Sequence, residues 1–521
     1  MIRKIIEKYK NIHKAKQLLS SLHYEKKLKN KKIVFFSIRP YSLVLHQELF
    51  LAYQFAELGA DVKVVVDDGV FEHWDLVQEH DNTTSYTYYQ EKVFSKITKL
   101  ALARLIINAY KHKNIKIVYT SSLANKEKLT EIDRLTTLEK QQAESSVRRF
   151  FETGSMDLSL SLHKEYYEKS LMNCLISKTL ASVIYQSIGP DLFITSHGIY
   201  SVWGPAFNYM KEQKVPSLIY GAHAYKSQEI IISDVIAQTL SQDSDWKNFE
   251  KNHFLSKKET LKVEDYFDKR VNFKASDTKI YYGDIVQFEE IVIPKSDDIK
   301  TFALFPNIIW DGDVYERDTI FKGIIDWIIK TVDIFRESPH NLVIRFHPAE
   351  TTLWKDSKSL QLVLEEKIPD IKDIKNIFLI SSDKKINTYD FIAKNVDIGL
   401  IYDGMLAMEL LYIKKPFISC AISRYTGSGF AYEPDSIETY KLMLLNPERI
   451  ISDFENTYKD KKQKMLKYAY WYLFVCGYHF PIFNPNKVLT IDYNLLSEDD
   501  VSVNKNKKLA RTIDKFLKHL N

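Results

Sequence analysis

The stretch Asp397–Ser419, DIGLIYDGMLAMELLYIKKPFIS, decides how the chain is read. Ile398–Ile401 is an apolar run of strand length, and Asp403-Gly404 is a turn signal. Met405–Tyr412 then carries helical spacing and places Glu409 in the second turn of a helix. Lys414-Lys415-Pro416 stops that helix, because proline cannot continue one, and Phe417–Cys420 opens the next strand. The predicted unit is strand, turn, helix, strand: one βαβ step with Asp403, Gly404 and Glu409 near the C-terminal edge of a parallel sheet. In open α/β sheets that edge is where ligands bind. Leu342–Pro348, LVIRFHP, is built the same way. Its apolar run breaks into Arg345 and His347, which point to one side of a strand. A guanidinium fork beside an imidazole suits a phosphate.

The same alternation extends along the chain. Thr301–Pro306 reads as a strand, Asn307–Arg317 as a loop facing a cleft, and Asp318–Phe335 as a helix. Asn376–Ser381 is a further strand, and Arg424–Phe430, RYTGSGF, is a loop. There Gly427 and Gly429 either let backbone N–H groups approach a ligand or simply make the loop flexible. In the first half, Lys32–Ser37 is a buried strand and His46–Leu58 a helix closed by Gly59. Asp61–Val66 is the next strand. Arg39, in the loop between the first strand and that helix, either faces an anionic ligand or caps structure locally. Asp191–Thr195 and Pro216–Tyr220 are consecutive strands, and each ends in a histidine-bearing loop, at His197 and His223. Either imidazole suits a general base for a hydroxyl, and either equally suits a structural tie to backbone. His46 is a third candidate base.

Three strings resemble those of a known family. Glu409 with Pro416 seven residues on, E-L-L-Y-I-K-K-P-F, resembles the E-x6-P of GT-B glycosyltransferases, without the glycine usual two places before the proline. The opening strand, loop, helix and V-K-V-V strand resemble the first βαβ unit of those enzymes, with Arg39-Pro40-Tyr41-Ser42 in place of the glycine pair. R-F-H-P at Arg345–Pro348 resembles that of capsule polysaccharide transferases of the Kdo-transferase and polysialyltransferase type, and of teichoic acid glycerophosphotransferases. The resemblance implies a GT-B-like α/β fold: two Rossmann-like domains with a cleft between them, helical elaborations, and a C-terminal helix that crosses back. It implies a nucleotide-sugar donor held by Arg345, His347, Asp403, Gly404, Glu409 and Gly427, with Glu409 on the ribose and His347 at the phosphate. An oligo- or polysaccharide, free or lipid-linked, is the implied acceptor, in bacterial capsular or other surface polysaccharide synthesis. A glycerol- or ribitol-phosphate transferase with a CDP-linked donor and a non-hydrolysing sugar-nucleotide epimerase are the competing activities. A non-catalytic assembly subunit is a fourth. Asp311-Gly312-Asp313 spells the D-x-D of metal-dependent GT-A transferases, but a lone aspartate pair lacks the other oxygen ligands of a divalent site, so no metal or other cofactor is expected.

At 521 residues the chain exceeds one ordinary core. The expected division is a basic amphipathic segment over 1–30, a first domain over 31–299 with a helical insertion at about 71–187, a donor domain over 300–455, and helices over 456–521 that return to the first domain. Apolar residues make up 45% and charged residues 27%, and no run of about 20 apolar residues is free of charge, which argues against a spanning helix. The first residues lack the apolar core of a signal peptide. Cys174, Cys420 and Cys476 lie far apart in apolar surroundings and read as reduced packing residues of a cytoplasmic protein. Residues 1–32 hold eleven lysines and arginines against Glu7 and Glu25, while the whole chain carries only +5. A basic leader on a mildly acidic body points to an anionic membrane surface, or to a helix packed on the body with a solvated basic face. It does not point to nucleic acid, which needs its basic patch on the folded domain.

Overall fold

The computed structural model describes the chain apart from residues 1, 39–41, 74–102, 125–134, 224–227, 275–287, 311–319, 353–358, 487–489 and 521. Among the described residues twelve strands run in chain order: β1 Lys32–Phe36, β2 Asp61–Val66, β3 Ile115–Tyr119, β4 Leu192–Ser196, β5 Ser217–Ala222, β6 Glu229–Ser233, β7 Thr301–Phe305, β8 Asn341–Arg345, β9 Ile377–Ile380, β10 Ile398–Ile401, β11 Phe417–Ser419 and β12 Gly477–His479. They form two sheets, one in each of two compact units. Among the described residues no helix is long and apolar enough to cross a membrane.

The first unit comprises residues 1–150, 157–237 and 475–521. Its seven-stranded sheet has the order β12-β6-β5-β4-β1-β2-β3. The pairs from β5 through β4 and β1 to β3 are parallel, whereas β6 and β12 add antiparallel edges. β1 is buried in every residue after Lys32, as a central parallel strand covered on both faces must be. The helix Ser42–Glu57 lies in the same core as the C-terminal helix Lys507–Leu517, where Phe55 meets Phe516 edge-on at 5.5 Å.

The second unit comprises residues 151–156 and 238–474, and its five strands are all parallel in the order β11-β10-β7-β8-β9. β7, β8 and β10 are buried along their whole length. Gly399 in β10 lets the helix Leu406–Tyr412 approach closely, since a Cβ there would stand 2.5 Å from Leu410 Cδ1.

The fold is therefore α/β and doubly wound in both halves, as expected, with three differences. Residues 238–299, expected in the first domain, join the second unit. The helices Ser244–Asn252 and Lys257–Val271 account for this, because they pack on the helix Pro447–Tyr470. Trp246 stands edge-on to Tyr468 at 4.8 Å, and Lys462 pairs with Glu264 at 2.8 Å. Residues 456–474, expected to return to the first domain, belong to the second unit for the same reason. The return begins at Val475, the last residue of a turn of π-helix at Trp471–Val475. Finally, the N-terminal segment is part of the first unit's core from its second half onward. In the helix Ile2–Ser20, Ala15, Leu18 and Leu19 are buried, Ile12 packs beside them, and Asn11 bonds the backbone of Ile491 and Tyr493.

Candidate active site

Strand order locates the crevice in each unit. In the second sheet the chain moves from β7 to β8 and β9 on one side, then returns to β10 and β11 on the other. The winding reverses between β7 and β10, and ligands of open α/β sheets bind at the C-terminal ends of that strand pair. Asn307 follows β7 and Asp403-Gly404 follows β10, and they are tied together: the Asp403 N–H donates to Asn307 Oδ1 at 3.2 Å. The Asp403 carboxylate accepts from the Gly404 N–H at 2.7 Å and from Arg424 Nε and Nη2 at 3.3 and 3.4 Å. Gly404 has φ of +127°, which L residues rarely adopt, and nothing lies within 4 Å of where its Cβ would be. A glycine kept open at a strand-end turn is what close approach by a ligand requires. Asp403 and Gly404 thus stand where the sequence reading placed them.

The other donor candidates are placed differently. Arg345 is buried, and its guanidinium donates to the carbonyls of Ser381 and Lys384 at 2.5 and 3.1 Å. It holds the loop after β9, so the expected two-pronged grip on a phosphate is not its arrangement here. Glu409 is 2% exposed; Arg270 Nε donates to one carboxylate oxygen at 2.6 Å and the Tyr389 hydroxyl to the other at 2.9 Å. Both oxygens meant for a ribose are engaged within the unit, and the carboxylate anchors the helix Lys257–Val271. The Gly427 N–H, at φ of +77°, donates to both oxygens of the exposed Glu433 carboxylate at 3.1 and 3.2 Å. His347 accepts the Ala349 N–H at Nδ1, 3.1 Å, so its proton sits on Nε2. Burial, helped by the Arg345 charge, lowers its pKa to about 4, and it is a neutral donor at pH 7. One turn on, Glu350 was not singled out from the sequence. It is 6% exposed, Oε1 accepts the Leu360 N–H at 3.2 Å, and Oε2 has no hydrogen-bond partner. Burial pushes its pKa up to about 7.

In the first sheet the winding reverses between β1 and β4, where Ser37 and Ser196-His197-Gly198 emerge. His197 is exposed and has φ of +57°; Gly198 and Tyr200 follow at +69° and +63°. Two non-glycine residues held left-handed within four positions is backbone strain of the kind that collects at functional sites. Ser196 Oγ meets His197 Nδ1, and the ring stacks by Trp203 at 5.6 Å. Glu48 is buried and accepts from the hydroxyls of Ser37 and, at 2.6 Å, Tyr220. This carboxylate was missed because its donors, Ser37 just after β1 and Tyr220 in β5, are far apart in sequence. His223 ends β5, one strand from the crossover; it is buried, and its N–H donates to the Glu229 carbonyl at 3.0 Å. His46 is no site residue. Its Nδ1 contacts the Tyr110 hydroxyl at 2.7 Å inside the core, Tyr110 in turn meets Tyr493, and burial lowers the imidazole pKa to about 4. Arg39 and Asp311 lie outside the described residues. Among those described, no three His, Cys, Asp or Glu side chains gather as a metal site would need.

No protein-family model matches the chain, and no curated protein matches it. Solved structures are similar at low identity. For the beta Kdo 2,4 transferase KpsC of Thermosulfurimonas dismutans the identity is 11%, over 54% of this chain and 80% of that one, with a TM-score of 0.30. For the UDP-GlcNAc 2-epimerase of Neisseria meningitidis, bound to UDP-GlcNAc, the values are 10%, 86%, 99% and 0.24. For the calicheamicin glycosyltransferase CalG4 they are 11%, 84%, 95% and 0.23. Transferases and epimerases stand side by side among them, and likeness at these scores assigns no chemistry to this chain.

Proposed function

We propose that the chain is a glycosyltransferase that takes a sugar from a nucleotide donor, bound by the second unit, to a glycan hydroxyl. The observation that carries this is the reversal of strand order between β7 and β10, where Gly404 leaves open space and the Asn307, Asp403 and Arg424 polar groups gather. The reaction is displacement at the anomeric carbon. His197 takes the acceptor proton at Nε2, with Nδ1–H directed to Ser196 Oγ, and polar donors of the second unit meet the charge that grows on the leaving phosphate. His347 Nε2–H is one such donor. Arg345 and Glu409 are assigned to ties within the second unit, Arg345 to the Ser381 and Lys384 carbonyls and Glu409 to Arg270 and Tyr389. No metal is needed in this scheme, so EDTA leaves turnover unchanged.

The R-x-H-P resemblance supports bacterial capsular or other surface polysaccharide as the setting, with a lipid-linked acceptor. The basic residues Arg3, Lys4, Lys8 and Lys10 support attachment to an anionic membrane surface. A thermal-shift screen of CMP, UDP, GDP and CDP tests the donor class, because a ligand at 100 times its Kd stabilises by about 2.7 kcal/mol. One nucleotide is expected to raise Tm; a flat response to all four contradicts the reading. Turnover of the matching sugar nucleotide only when a glycan is present completes the test, and product formed without acceptor would make the chain an epimerase.

A further inference from the structure

We propose that Arg424 is the anion-binding residue of the second unit and holds the nucleotide phosphate at the crevice between β7 and β10. The inference rests on the reading that this crevice takes a nucleotide. Arg424 opens the loop after β11, and its side chain is 24% exposed while that of its partner Asp403 is 1% exposed. Asp403 holds one edge of the guanidinium through Nε and Nη2, and Nη1 donates to the Tyr472 hydroxyl at 2.9 Å. The guanidinium carbon stands 5.7 Å from the centre of the Tyr472 ring. A guanidinium has five N–H donors in a rigid fork, so it can keep Asp403 on one edge and take phosphate oxygens on another. Asp403 is then a positioning residue that fixes the direction of the fork. Arg345, by contrast, is committed to two backbone carbonyls.

The surroundings fit an anion with many oxygens. Gly404 and Gly427 both have positive φ and open space where a Cβ would stand. In the loop after β11 the buried hydroxyl of Ser428 has no hydrogen-bond partner. Buried hydroxyls are rarely left so, and a phosphate oxygen, directly or through water, would satisfy it.

Calorimetric titration of CMP, UDP and GDP, of their nucleosides, and of inorganic pyrophosphate into the full chain tests this. The variants are Arg424→Gln and the double variant Asp403→Asn, Arg424→Gln, which leaves no buried carboxylate without its partner and so guards against misfolding. The nucleotide that binds wild type should lose at least tenfold in affinity in the folded variants, with its nucleoside bound equally by all. Unchanged nucleotide affinity, or an equal loss for the nucleoside, overturns the assignment. If no nucleotide binds wild type, the reading of the crevice as a nucleotide site fails by itself. Pyrophosphate bound by wild type and lost in the double variant would still uphold Arg424 as an anion site, and pyrophosphate bound by neither would overturn it.

Discussion

His197 is held left-handed, a conformation that costs an L residue about 1–2 kcal/mol relative to glycine. The proposed role of His197 as the base for the acceptor hydroxyl gives that strain a function to test. His197→Gly should therefore raise unfolding free energy by about 1 kcal/mol while turnover falls roughly 100-fold with nucleotide affinity unchanged. Denaturant melts beside turnover assays check it, and a stabilised variant with normal turnover would remove the base from this position. Glu350 gives a pH test. The folded chain keeps its proton up to about pH 7, whereas a free glutamate loses it near 4.5. Between those values the folded state binds more protons than the unfolded, so this group's contribution is full below pH 4.5 and is lost as pH rises to about 7. Glu350→Gln should stabilise by about 1–3 kcal/mol at pH 8 and by almost nothing at pH 4.5. Equal effects at both would contradict the buried, proton-bearing carboxyl. At this scale the sequence was a partial guide. Asp403 and Gly404 were legible because a turn after a buried strand is a local signal. The engagement of Arg345 and Glu409 was not, since Ser381, Lys384 and Arg270 reach them from more than thirty residues away.

Elements were read well where the pattern was local. β2 and β10 have the predicted ends, because Val- and Ile-rich runs bounded by turns leave little choice. β6 and β12 were not seen: a three-residue edge strand such as Gly-Tyr-His carries no period, and its pairing partner is some 250 residues away. The N-terminal helix shows how one amphipathic pattern serves two ends. Its second half lies in the core, so deleting residues 1–30 would strip away Leu18, Leu19, Leu22 and Leu28. At about 2–5 kcal/mol for each leucine lost from a core, that truncation should be insoluble or unfolded. Replacing Arg3, Lys4, Lys8 and Lys10 by glutamine should instead leave Tm within a degree or two and cut sedimentation with anionic vesicles, at about 1 kcal/mol per charge near the surface. A stable, active truncation would contradict the packing, and undiminished vesicle binding by the glutamine variant would contradict the membrane role.

For the whole molecule, two doubly wound sheets give two crossover edges, one carrying a strained histidine and the other an open glycine beside an arginine. That the chain holds two α/β domains was evident from alternating strand and helix patterns. Which unit residues 238–299 join was not, because it is settled by packing of their helices on Pro447–Tyr470 and not by any break in composition. The central claim is that a nucleotide sits at the edge between β7 and β10. Hydrogen exchange of the wild-type chain, with and without the nucleotide that raises its Tm, measures this most directly. The account predicts slowed exchange confined to peptides spanning residues 303–310, 400–408 and 421–430. Slowed exchange around residues 196–201 alone, with those peptides unchanged, would contradict it.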